Sequence, residues 1–430
     1  MSGLLDYLRR IVLIGLAAPC WIIPNVAVAQ QADFTNTMTW EAKATFPGGG
    51  RHHPITFANA THGFLLTGST AANSYLSDFW IYDADADTWT DLSNTPAAFP
   101  GDARTYGYGV ASTTNCSNSK AYVGFGANAF GVRLSDLWEL DMSTLIWRRL
   151  ADLPGPGRRH PAMNYVEGSV NEIHVGLGDG TTGNFNDWWA YDIATDSWRQ
   201  LPELPGVPRH HPFYFSIGPQ SYAGLGHSSR GIERDWYRWE ASTSTWVSEN
   251  DFSSFAFKYE NDASNSMLIT TEARVAGTQF STSGSCDSDA LVYGFVLSGD
   301  GDDHSTMATG EFHVFDPYGG VDGMGVWHEL PPHPGVSRWA PGSFVLQGST
   351  KVFFFGGYEH TQQILLDDLW MMDLTPFFDS STNQTAPTDN VSNSSQADDV
   401  MADEAVMSAR LAWTFVLALA TAVVFEYSYS

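Results

Sequence analysis

A short acidic-aromatic pattern returns six times along this chain, and nothing else in the sequence constrains the fold as strongly. It reads acidic, two bulky, one variable, one bulky, acidic. The clear copies are Asp78 to Asp83, Asp136 to Asp141, Asp187 to Asp192 and Asp235 to Glu240; Glu311 to Asp316 and Asp368 to Asp373 are weaker. In the first four a Trp follows 11 residues after the first acidic residue, at Trp89, Trp147, Trp198 and Trp246. In the fifth it comes later, at Trp327, and the sixth has none downstream. The missing Trp stands at the front of the chain, as Trp40. An Arg follows Trp40, Trp147, Trp198 and Trp327 at a constant 11 residues, as Arg51, Arg158, Arg209 and Arg338. Trp89 and Trp246 reach Arg104 and Arg274 through longer connections. Between each Arg and the next acidic core lies a Gly-marked apolar strand: LLTGS, YVGFG, HVGLG, YAGLG, LVYGF and FFFGG. Each unit of roughly 50 residues thus holds about four short strands parted by Gly, Pro and Asp turns.

Six such units predict an all-β fold, a six-bladed β-propeller with one four-stranded blade per repeat. The glycines, the bulky core and the Trp in fixed order resemble kelch repeats over residues 33–376. The sequence departs from that pattern at the double glycine, which only Gly356-Gly357 keeps; three other units read Gly-x-Gly. A ring needs its first and last edges paired, so Trp40 is expected on the outer strand of the sixth blade, where the N-terminal strand closes the ring. Repeated aromatics such as Trp80, Trp89, Trp138, Trp147, Trp189, Trp198 and Trp246 read as packing between blades, without chemistry.

Composition agrees with short strands and tight turns: aromatics are 14%, with 16 Trp and 40 Gly. A net charge of −27 gives no electrostatic basis for binding DNA or RNA, so no nucleic-acid partner is expected. Residues 1–29 read as a signal peptide. Arg9 and Arg10 precede a 13-residue apolar run, Ile11 to Ile23, and Ala27-Val28-Ala29 offers a cleavage site. Residues 377–410 read as a disordered polar stalk, and 411–430 as a hydrophobic anchor signal or membrane span. Sequons at Asn59, Asn115, Asn383, Asn390 and Asn393 fit a glycoprotein of the secretory pathway, held at the extracellular face of the plasma membrane. Cys116 and Cys286 each lie 12 residues after an Arg, in units two and five. Units two and five face one another across a six-membered ring. A disulfide strapping one mouth of the channel is expected, with free thiols as the alternative.

In kelch domains that bind ligands, the residues after the arginine and after the glycine pair often line one face. The resemblance therefore implies a ligand face of His53, Tyr106, Arg159, His160, Asp179, His211, His227, Trp339 and Tyr358. His53, His160 and His211 hold equivalent places in units one, three and four, and pseudo-symmetry points them toward the axis. The Arg-x-His-Pro segments read as a structural turn, as a polar ligand site, or as a zinc or copper site. The ring radius argues against the last, so neither metal nor cofactor is assigned. The Asp300-Gly301-Asp302-Asp303 stretch lacks EF-hand spacing and reads as a solvated loop. The expected function is recognition of a protein or carbohydrate ligand on one face of the propeller. The alternative is a secreted carbohydrate-active enzyme, either oxidase-like and metal-dependent or a sugar mutarotase. Galactose oxidase-like proteins resemble the chain in blades and secretion, but they need a Cys-linked Tyr and have seven blades. No P-loop, G-x-S-x-G or H-E-x-x-H motif is present. Deleting residues 33–46 is expected to lower the melting temperature of the whole domain; an unchanged melt would rule out closure by this segment.

Overall fold

The computed structural model describes residues 38–169, 171–252, 255–257, 274–301, 310–320 and 323–381. The signal segment, most of the stalk, the C-terminal apolar run and the sequons at Asn383, Asn390 and Asn393 lie outside them. Among the described residues no helix is long and apolar enough to cross a membrane.

Each acidic core forms the third strand of an antiparallel four-stranded sheet. The first sheet runs Ile55–Ala58, His62–Leu66, Phe79–Asp83 and Thr88–Asp91. The second to fourth repeat this order, starting at Tyr108–Ala111, Ala162–Val166 and Phe213–Ile217. The fifth comprises Thr278–Thr282, Tyr293–Leu297, Gly310–Asp316 and Val326–His333, and a short strand the sequence did not announce, Phe255–Phe257, adds to it in parallel. In the sixth, Gly342–Val345, Lys351–Glu359 and Ile364–Asp373 are joined by Trp40–Lys43, with Trp40 opposite Met372 and Lys43 opposite Leu369. This all-β architecture of antiparallel four-stranded sheets fits a β-propeller.

Neighbouring sheets meet through their first strands and through apolar layers. The first strands touch in sequence from Ile55–Ala58 to Gly342–Val345, and the last of these touches the first. Between the sixth and first sheets, Phe344, Phe353, Phe355 and Leu369 pack on Leu65, Tyr82 and Phe46. Between the fifth and sixth, Phe295, Phe312 and Leu330 pack on Val352, Phe354 and Met372. The repeated outer Trp ties each sheet to the connection before it. The indole N–H of Trp89 donates to the carbonyl of Ala44 at 3.0 Å, that of Trp147 to Ala97 at 3.0 Å and that of Trp198 to Ala151 at 2.8 Å. Trp40 makes the equivalent bond to Pro331 at 3.4 Å. These indoles are structural ties, as their regular recurrence implies.

The repeated Arg and the first acidic residue of each core are partners. Arg51 meets Asp78 at 2.9 Å through both terminal nitrogens. Arg104 grips Asp136 at 2.7 and 2.7 Å, Arg158 grips Asp187 at 2.6 and 2.8 Å, and Arg338 grips Asp368 at 2.7 and 2.8 Å. Arg209 pairs with Asp235, and Arg274 with Glu311. The first five of these arginines have no exposed surface and Arg338 is 4% exposed. Five also sit over an aromatic ring, for example Arg51 over Phe46 at 4.7 Å. A second Trp nitrogen completes the carboxylate, as from Trp80 to Asp78 at 2.9 Å and from Trp189 to Asp187 at 2.8 Å.

Two expectations are corrected. The packed unit does not stop before residue 377: a helix spans Thr375–Ser381, and Phe377 and Phe378 are buried against Tyr293, because two adjacent Phe side chains gain more from the apolar layer than from water. The adjacent glycine pair is confined to Gly356-Gly357, but its backbone turn recurs in every repeat, and the glycine marking the fifth is not the one in LVYGF. Thr67, Phe125, Leu177, Leu225 and Ser298 stand where Gly356 stands, at φ between 51° and 60° or slightly above (Phe125, 63°). Each precedes a glycine at positive φ. That second glycine cannot carry a side chain: a Cβ on Gly178 would lie 2.5 Å from the Arg159 carbonyl oxygen. The fifth repeat is thus marked by Gly299, and Gly294 is a strand residue.

Breaking a buried pair leaves an uncompensated charge and typically costs about 3–5 kcal/mol. Arg158→Leu is expected to lose about that much in urea denaturation. A loss below about 1 kcal/mol would show that the pair is not a main support.

Candidate functional site

The residue two positions after each repeated Arg adopts a left-handed backbone. The φ values are 52° at His53, 63° at Tyr106, 50° at His160, 50° at His211, 54° at Ala276 and 49° at Ala340. Non-glycine residues seldom adopt this region, and here the next residue is always Pro or Gly. The turn is held from both sides. The residue just after the Arg pairs with the residue just after the glycine, giving His52 with Ser69, Thr105 with Ala127, Arg159 with Asp179, His210 with His227, Val275 with Asp300 and Trp339 with Tyr358. The glycine N–H then donates to the carbonyl of the next repeat's Arg, as from Gly126 to Arg158 at 2.8 Å, from Gly178 to Arg209 at 2.9 Å and from Gly357 to Arg51 at 2.9 Å. The turn residues also bond to one another: the N–H of His53 donates to Ala340 at 2.8 Å and that of His160 to Tyr106 at 3.1 Å.

This geometry brings together the three histidines that the sequence placed in register. Ring nitrogens of His53, His160 and His211 all lie within 4.8 Å of one another. The Nε2 atoms of His53 and His211 are 3.1 Å apart, and the His160 and His211 rings lie 3.6 Å apart between centroids. The ring radius does not separate them, contrary to expectation, because the left-handed turn throws each side chain inward. All three are buried.

The rest of the predicted face divides into contacts and bystanders. Tyr106 packs edge-on against His53 at 4.6 Å and against His160 at 4.5 Å. Trp339 stands edge-on to His53 at 4.5 Å. Asp179 accepts from Nδ1 of His160 at 2.9 Å, while its other oxygen takes Nε and Nη2 of Arg159 at 3.0 and 2.6 Å. The Arg159 guanidinium covers Tyr106 at 5.3 Å. His227 sits one step out, its ring 5.2 Å from His210, and Tyr358 stands edge-on to His360 at 4.8 Å. Burial, reinforced by neighbouring imidazoles and Arg159, holds the His53 and His160 pKa values well below the usual histidine range. Burial alone brings His52 down to about 4. These three rings are neutral near pH 7.

Behind the histidines a channel of about 120 Å³ runs between the first strands, lined by Thr56, Tyr108, Asn164, Tyr214, Gln279 and Ser343 among others. Cys116 and Cys286 are joined by a disulfide in the loops that follow the first strands, at the opposite end from the histidines. Gly348, at φ 65°, leaves the room this bridge needs; a Cβ there would meet both sulfurs within 2.3 Å. Asn59 and Asn115 lie at the same end as the disulfide.

His52, the residue directly after Arg51, meets Nδ1 of His53 through its own Nδ1 at 2.6 Å. Other residues escaped the sequence reading. Asp300 is fully buried and accepts from Nε2 of His360 at 2.9 Å, so the solvated-loop reading fails there; Asp302 and Asp303 lie outside the described residues. Placing the fifth glycine at position 299 would have put Asp300 on the list. Phe130 and Val132 are 91% and 52% exposed on the loop after Ala127, at the histidine end. Single exposed apolar residues have no periodic signal.

Together, fold and site define an all-β, propeller-type protein with a histidine- and aromatic-lined mouth. No family model matches the chain. It is similar to Kelch domain-containing protein 1 of Mus musculus, 24% identical over 139 residues, which is 30% of this chain and 30% of that protein. The chain therefore spans well under two thirds of that relative's length.

The same left-handed turn carries Ala at two positions, so the turn itself does not require histidine. His160→Ala and His211→Ala are each expected to keep the fold, with a thermal melt showing a loss under about 2 kcal/mol. Unfolding of either variant would make the imidazole part of the scaffold.

Proposed function

We propose that this chain is a secreted, six-bladed kelch-like β-propeller whose histidine-end mouth recognises a protein partner. The observation that carries the reading is the convergence of one turn per repeat on a single mouth, which gathers aromatic and cationic side chains that the blades do not need. His52, Tyr106, Arg159, Trp339 and Tyr358 are each only partly buried there. Phe130 and Val132 project beside them, and exposed apolar residues next to aromatic and Arg side chains are the composition of protein interface centres. The Phe130 side chain, almost wholly in solvent, favours a protein over a sugar as the ligand. Six blades are supported by the cyclic contacts of the first strands and by the pairing of Trp40–Lys43 with Ile364–Asp373.

The two ends of the domain carry different features. The disulfide and the sequons at Asn59 and Asn115 share the far end, so glycans there would leave the histidine mouth clear. Residues 1–29, the stalk and residues 411–430 complete the reading as export leader, spacer and anchor. They would present the domain at the outer face of the plasma membrane.

The test is a screen of the secreted chain against arrayed extracellular protein domains, with a glycan array in parallel. Phe130→Ser combined with Trp339→Ala is expected to weaken a protein hit at least tenfold while the melting temperature holds. Binding that survives this double variant, or hits confined to the glycan array, would contradict the proposal.

A further inference from the structure

We propose that His53, His160 and His211 bind one divalent transition-metal ion of the zinc class through their Nε2 atoms, with a fourth coordination position left open. This goes beyond partner recognition and stands on four separate observations.

The first is spacing. A tetrahedral ion with bonds of about 2.0–2.1 Å sets its ligand atoms roughly 3.3 Å apart. The His53 and His211 Nε2 atoms are 3.1 Å apart, and the widest separation in the triad is no more than 4.8 Å. A small ring rotation closes the remaining gap.

The second is orientation. A metal-bound histidine commonly gives its other ring nitrogen to a carboxylate, which fixes the tautomer. His160 does this through Nδ1 to Asp179 at 2.9 Å, and Arg159 anchors that carboxylate in turn. Among the described residues the buried Nε2 of His160 has no hydrogen-bond partner. With the proton held on Nδ1, this atom presents a lone pair to the other two rings. Nδ1 of His53 lies 2.6 Å from Nδ1 of His52, and its Nε2 is turned to Nε2 of His211 at 3.1 Å.

The third is that the fold does not ask for these residues. Six equivalent turns exist, and two carry Ala276 and Ala340. Three histidines at the remaining four places are therefore a choice of side chain. The fourth is donor chemistry. Among the described residues the donor set is three imidazoles, which suits zinc, copper, cobalt or nickel; calcium and magnesium prefer oxygen.

The test uses the full secreted chain, stripped with a chelator and titrated with Co²⁺ and then Zn²⁺. One equivalent of Co²⁺ is expected, with the intense visible absorption of a four- or five-coordinate site, displaced by Zn²⁺. His211→Ala and His160→Ala are expected to weaken Zn²⁺ binding at least 100-fold. Asp179→Asn is expected to weaken it 10- to 100-fold. His62→Ala, which removes a histidine outside the mouth, is expected to leave the stoichiometry unchanged. Absence of the Co²⁺ spectrum in the wild-type chain, or its persistence in folded His160→Ala, would overturn the proposal. Should the variants fail to fold, X-ray absorption of the zinc-loaded wild type decides: three imidazoles support the site, and fewer than three overturn it.

Discussion

Each repeat hangs on one buried guanidinium. It reaches across its own sheet to the carboxylate that opens the third strand, and in every repeat but the fifth it also donates to the backbone carbonyl just before the positive-φ glycine, as Arg158 does to Leu177 at 3.0 Å. One side chain thus fixes the start of the first strand, the end of the second and the start of the third. A buried charge pair of this kind contributes little net stability over an apolar replacement. Its value lies in geometry, because a planar fork accepts its partner in one orientation. The left-handed turn two residues later is held in place by that fork, and all the site's side chains leave the scaffold from this turn.

Much of this was legible in the sequence. The acidic cores, the Trp spacing and the Arg spacing located the sheets, and the displaced Trp40 pointed to the strand that pairs with Ile364–Asp373. The equivalence of His53, His160 and His211 was also visible. What the sequence concealed was partnership and distance. Arg and carboxylate recur with equal regularity, yet they stand 26 to 37 residues apart and nothing local joins them. The inward throw of the histidines depends on a positive φ that Pro and Gly after the residue only hint at. The glycine pair misled because its first place tolerates Thr, Phe, Leu or Ser in the same backbone state. That error shifted the fifth repeat by five residues and hid Asp300. Phe377 and Phe378 were hidden by the polar composition that follows them.

The two ends of the channel are built for different tasks. At one end loops from non-neighbouring sheets are tied by the Cys116–Cys286 bridge, and Gln347 of the sixth sheet's loop donates to the Ser112 carbonyl at 2.8 Å. Cross-links between distant parts of a chain restrict the unfolded state most, and this one spans 170 residues. At the other end no covalent tie exists among the described residues. Imidazoles, indole and phenol fill the mouth, with His53, His160 and His211 buried and Tyr106 and Trp339 partly open to solvent. Rigidity at one end and chemical variety at the other is the arrangement a binding module needs, since positioned side chains recognise a partner only when the scaffold beneath them stays fixed.

Six Arg–carboxylate pairs hold six equivalent turns around one mouth. The decisive measurement is a crystal structure of the purified protein. The account predicts six four-stranded sheets in a closed ring, Trp40 on the last of them, every repeated Arg on its own sheet's carboxylate, and the three histidine rings in mutual contact. An open ring, a seventh sheet, or histidine side chains turned away from the axis would contradict it.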